Sequence, residues 1–163
     1  MVVELQKIKD TYISALNADF DRLLAKLNDG DTDCGDSEDL PTEYAYPFTA
    51  DTNIFIGKKP AAVMFGEERV EANNWRKVFA VIMARCNADA QCHENLMYLR
   101  DKVAGRDRIL LSHSSDGMRR SLKIDEDMYA EVCYGTATLL YILRDRILAP
   151  AHFDYSNISI IIR

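Results

Sequence analysis

The chain has 163 residues, of which 48% are apolar, and a formal net charge of −6, a composition that can bury one core of ordinary size and argues against a disordered polyelectrolyte. The longest apolar runs are too short to cross a bilayer, and the opening MVVELQKIKD lacks the apolar stretch of a secretion signal, so a cytoplasmic protein with no membrane partner is expected. The charge is segregated: residues 1–51 carry 12 Asp/Glu against 4 Lys/Arg, whereas residues 52–163 carry 14 against 16, which gives no overall positive excess for a dedicated duplex-DNA binder.

Residues 1–28 read as an amphipathic helix, because Leu5, Ile8, Tyr12, Leu16, Phe20, Leu23 and Leu27 recur at steps of three and four. Such a stripe needs a partner surface, either the protein's own core or the same helix of a second copy. Phe and Tyr in the seam suit a strict coiled coil poorly. Asn28-Asp29-Gly30 stops the helix.

Residues 29–43 form an acidic linker. Asp29, Asp31 and Asp33 sit at the first three ligand positions of a calcium loop, but Cys34 stands where the turn glycine belongs and Leu40 where the bidentate Glu belongs. Pro41 and Pro47 oppose a second helix beyond it. The run Asp29, Asp31, Asp33, Asp36, Glu38, Asp39 is therefore read as a solvated acidic segment that a basic partner surface can engage, not as a metal site.

Residues 44–163 are predicted to form an α+β domain in the order β-β-α-α-β-β-α-β, a small mixed sheet with helices packed on it. AAVMFGEERVEA reads as a hairpin that sets Val63 and Phe65 against Val70 around Gly66. NNWRKVFAVIMARCN reads as a core helix capped by Asn73 or Asn74. A second helix over AQCHENLMYLRDKVA ends at Gly105. RILLS and DMYAEVC are expected strands, TATLLYILRDRILA a helix closed by Pro150, and NISIIIR a final buried strand.

The chemistry-bearing residues are sparse. Cys86, Cys92 and His93 lie close together, but a zinc site wants a second ligand pair, and Cys133, His113 and His152 are scattered, so no metal and no cofactor is expected. Without an export signal, Cys34, Cys86, Cys92 and Cys133 are expected as thiols. SHSSDG (Ser112 to Gly117) holds Ser, His and Asp in one loop, which makes a polar turn rather than a triad assembled from separate elements. No phosphate-binding glycine loop, dinucleotide fingerprint or metalloprotease motif is present, so the chain is not expected to be an enzyme. What remains is a basic set, Lys58, Lys59, Arg106, Arg108, Arg119, Arg120 and Lys123, able to hold phosphate if the strand ends carrying it share one edge, with Asp107, Asp116 and Asp125 partly neutralising it.

GKKPAAVMFGEERVEANNWRKVF, GRDRILLS, DMYAEVCYGTATLLYILRDRI and YSNISIIIR together resemble a small α+β module of Firmicutes phage, conjugative-element and restriction-associated proteins, over about residues 54–163. Glu131-Val132-Cys133 stands where that module has Glu-Thr-His or Glu-Thr-Asn. The resemblance implies a setting in the contest between mobile elements and host nucleases, where small acidic proteins often act as inhibitors of the anti-CRISPR kind. The function expected on this ground is a non-catalytic inhibitor or adaptor that binds a host nucleic-acid-binding nuclease or its complex through the acidic run. The alternative is a nucleic-acid-binding module that uses the basic set.

Overall fold

The computed structural model describes residues 42–163. The expected N-terminal helix and its dimerisation, the acidic run from Asp29 to Asp39 and Cys34 lie outside the described residues. The described residues belong to one compact unit. Its elements are β1 (Tyr44–Pro47), a 3-10 turn (Thr52–Phe55), β2 (Pro60–Phe65), β3 (Glu68–Glu71), α1 (Trp75–Ala88), α2 (Ala90–Leu99), β4 (Leu111–Ser112), β5 (Ser121–Asp125), β6 (Met128–Glu131), α3 (Thr136–Tyr141) with its π-helical continuation Ile142–Leu148, and β7 (Ile158–Ile162).

The α+β class holds, but the expectation of one mixed sheet is corrected. Among the described residues there are two sheets, ordered β1-β7-β2-β3 and β4-β6-β5, and every pairing is antiparallel. Hairpins at Gly66 and between β5 and β6, together with the return of β7 between β1 and β2, leave no crossover of the kind that parallel strands need. β1 and β5 also add to the expected order. Leu122 and Ile124 of β5 lean on the core while Lys123 points to solvent, the alternation of a half-buried strand.

Local chemistry explains most elements. Val63 pairs with Val70 and Phe65 with Glu68 across a turn whose Gly66 has φ +62°, a value that costs glycine nothing. Asn74 caps α1, its Oδ1 accepting from the Lys77 amide at 2.8 Å, and Asp89 does the same for α2 through the Cys92 amide at 2.9 Å. The second helix stops at Leu99, short of Gly105, because the chain extends at Arg100 (ψ 134°) and turns left-handed at Asp101 (φ +63°), a tight turn closed by the Lys102 amide on the Leu99 carbonyl. Toward the chain end, the Ala149 amide bonds the Arg144 carbonyl, an i→i−5 spacing that widens the helix into a π-turn.

The core lies between the sheets and α1. Phe79, Ile82, Met83, Leu96, Leu110, Leu111, Met128, Leu140, Leu143 and Ile147 are fully buried in it. A strand of consecutive isoleucines needs both faces covered, and β7 meets that need inside its sheet: Ile158, Ile160 and Ile162 enter the main core, and Ile161 packs with Ala61, Ala62 and Met64. At the sheet margin Glu43 accepts from Arg69 at 2.8 Å and from Arg163 at 2.9 Å, and these guanidiniums hold its carboxyl down at about 2. No described helix is long and apolar enough to cross a membrane.

Candidate functional site

Glu131 ends β6 inside the core, fully buried. Both of its oxygens are taken: Oε2 accepts the Arg119 amide at 2.6 Å, and Oε1 accepts the amides of Arg120 at 3.0 Å and Cys133 at 2.9 Å. The Arg108 guanidinium stands 3.8 Å from Oε2. A buried carboxyl demands such partners. Here the demand is met by pulling two loops, residues 104–109 and 116–120, against the end of one strand.

Between those loops lies a cleft of about 490 Å³. Arg106, Asp107 and Arg108 line one side, Asp116, Gly117 and Met118 another, with Ile109 and Ser112 between them. Gly105 forms the tight bend, its amide bonding the Arg108 carbonyl at 2.7 Å, and a Cβ there would meet Leu110 Cδ2 at 3.0 Å and the Tyr134 hydroxyl at 3.4 Å. Burial first, and then Glu131, push the Tyr134 phenol up. From α3's continuation Arg146 reaches the Ala104 carbonyl at 2.9 Å.

Of the expected basic set, Arg106 and Arg108 line the cleft, and Arg119 and Arg120 follow its Met118 wall with their amides on Glu131. Arg106, Arg119 and Arg120 are exposed and form no ion pair among the described residues. Lys58 and Lys59 are tied elsewhere. Lys58 lies over the Tyr46 ring at 4.4 Å and its carbonyl accepts Trp75 Nε1 at 3.0 Å, while the Lys59 carbonyl accepts the Arg163 amide. Lys123 stands on β5 opposite Tyr129. Of the expected neutralising carboxylates, Asp107 and Asp116 line the cleft, whereas Asp125 accepts from Asn87 at 3.0 Å.

No family model, curated protein or solved structure matches the chain. The chemistry of the site therefore rests on its geometry alone.

The Ser-His-Asp loop resolves into a different constellation. His113 Nδ1 meets Asp101 Oδ2 at 2.8 Å, and the Ser112 hydroxyl donates to Asp101 Oδ1 at 2.6 Å. Asp116 bonds no imidazole; its amide donates to Ser114 Oγ. Because the Ser112 proton goes to the carboxylate, it is not poised as a nucleophile against the imidazole. Asp101 lies in a different segment from the Ser112–Gly117 loop, so no pattern within that loop names it as the partner.

The Ser112 hydroxyl, and after it His113, bring the Asp101 carboxyl down to about 2 against desolvation. A carboxyl depressed in the folded state contributes stability above its ordinary value near 4, and that contribution is lost as pH falls through about 2. We expect carbon-detected NMR titration to place the Asp101 midpoint near 2 and Ser112→Ala to raise it; a midpoint near 4 in the native chain refutes this arrangement.

Cys86 and Cys92 are buried, and burial pushes both thiols up, Cys86 to about 12, which makes them packing groups rather than nucleophiles. His93 Nδ1 bonds Asn87 Oδ1 at 2.8 Å, and Cys133 is exposed beside Glu131. Among the described residues no group of three metal-ligating side chains converges.

Proposed function

We propose that the chain is a non-catalytic macromolecule-binding protein of a phage or mobile element, and that its C-terminal unit engages single-stranded nucleic acid through the arginine-walled cleft. One observation carries this reading: Glu131 takes the amides of Arg119 and Arg120 and faces Arg108, which draws the 116–120 segment up to a cleft lined by Arg106 and Arg108. Arginine suits phosphate oxygens by its fork of donors. Ile109 and Met118 supply apolar wall for a sugar or base, and the cleft's volume suits a nucleotide rather than a duplex. Asp107, Asp116 and Glu131 offset much of the charge, so binding is of moderate strength and strongly salt-dependent.

The test is fluorescence anisotropy of the full chain with a labelled single-stranded oligonucleotide across a salt series. Arg106→Ala, Arg119→Ala and Arg120→Ala together are expected to weaken binding at least ten-fold and to flatten the log K against log salt slope by about two units, at roughly 0.7 per phosphate contact. Unchanged affinity in a folded triple variant refutes the reading.

A second reading is favoured by the segregation of charge, 12 acidic against 4 basic residues in 1–51. In it the acidic run occupies the basic groove of a host nuclease as a phosphate mimic, the inhibitor role implied by the resemblance. The same experiment separates the two: neutralising Asp29, Asp31, Asp33, Asp36, Glu38 and Asp39 to Asn or Gln leaves oligonucleotide binding intact or tighter under the first reading. Under the second, that variant loses a co-purifying protein partner and the arginine variant keeps it.

A further inference from the structure

Next to Ser112, which lines the cleft, an aspartate with a left-handed backbone holds a histidine that lies mostly in solvent. Asp101 has φ +63°, and its own amide bonds the Leu111 carbonyl at 2.8 Å. Its carboxylate takes the His113 ring at 2.8 Å and the His113 amide at 3.1 Å. The His113 side chain is 65% exposed, so burial is not what its fixed orientation serves. A carboxylate only accepts, so Nδ1 must be the donor to it, which turns Nε2 outward. The adjacent Ser112, bonded to the same Asp101, lines the arginine cleft.

We propose that His113, oriented by Asp101, is a further phosphate contact beside this cleft, made only when the imidazole is protonated, so that binding of single-stranded nucleic acid takes up a proton. The proposal rests on the cleft reading above. Neutral imidazole offers phosphate no donor cation, whereas the protonated ring holds one N–H on Asp101 and directs the other at the ligand. Histidine is the side chain whose charge changes between about pH 5 and 8.

The groups around it are mixed. Asp101 touches it, and Arg100 lies behind, with Nε 3.8 Å from Asp101 Oδ2 and Nη1 on the Asp127 carbonyl of the β5–β6 turn. Lys102 follows Asp101 and lies over the Tyr98 ring at 3.4 Å. Asp116 belongs to the same loop as His113, and Arg106, Asp107 and Arg108 line the cleft beyond.

The experiment measures oligonucleotide binding of the full chain at pH 6 and pH 8, at matched ionic strength, for the native protein, His113→Gln, Asp101→Asn and the triple arginine variant. The native protein is expected to bind about five-fold more tightly at pH 6, as one exposed charge contact would give, with a salt slope steeper by about 0.7. His113→Gln is expected to keep the pH 8 affinity and lose both differences, and Asp101→Asn to retain only part of them. If native binding is the same at both pH values, or the difference survives in His113→Gln, this inference fails while the cleft reading stands, provided the arginine variant loses binding at both. Absence of native binding at either pH overturns both.

Discussion

Glu131→Ala is expected to destabilise the domain by about 3–5 kcal/mol, the range for removing one member of a buried charged network. For a unit of this size the melting temperature falls by roughly 10 °C or more. The cause is the fate of the partners: the amides of Arg119, Arg120 and Cys133 lose their acceptors at once, and Arg108 loses the carboxylate it faces. Glu131→Gln separates hydrogen bonding from shape. Gln keeps one acceptor oxygen but must set an amide N–H₂ against a backbone N–H, so about 2 kcal/mol is expected, between native and Ala. Oligonucleotide binding should fall in both variants although no arginine is changed, because the two loops are no longer held together. Thermal melting together with anisotropy checks this; a neutral Gln variant would show that the three short contacts do not carry the site.

Phe55→Ala is expected to cost about 3–5 kcal/mol, comparable to other fully buried aromatics. Phe55 sits on a single 3-10 turn, Thr52–Phe55, that is anchored by packing rather than by a strand ladder. Its fully buried ring is held edge-on by Tyr46 at 6.0 Å and Trp75 at 5.5 Å. Truncation leaves a cavity between β1, the turn and the start of α1, and loosens Lys58, whose amide bonds the Phe55 carbonyl. Phe55→Leu, which keeps most of the volume, should cost about 1.5 kcal/mol or less. Urea denaturation followed through Trp75 fluorescence reads both. A lower midpoint with an unchanged slope is expected, and equal midpoints for Ala and Leu would mean that the ring is not packed as described.

Several elements were legible because their causes are local. The Gly66 hairpin and the Asn74-capped helix follow from residues within a few positions of each other, and so does the helix opening at Thr136. β5 carried a readable alternation in Leu122 and Ile124, masked by its basic flank. Glu131 too left a trace, a lone carboxylate in the otherwise apolar run MYAEV, though nothing near it names its partners.

Periodicity, caps and turns by themselves determined the class of the domain, the places of most elements and the segregation of charge, since each depends on neighbours along the chain. Only the tertiary structure decided the rest. β1, with Pro47 and no fully buried side chain, exists because β7 offers an edge 118 residues later, Tyr44 opposite Ile162. The four-stranded sheet is completed by that same return of the chain, β7 lying between β1 and β2. The cleft depends on Glu131 finding amides 11 and 12 residues away, and the histidine beside it on an aspartate 12 residues before it. Such contacts are selected by what a buried or strained group must satisfy once the core has closed, a condition that no local pattern records.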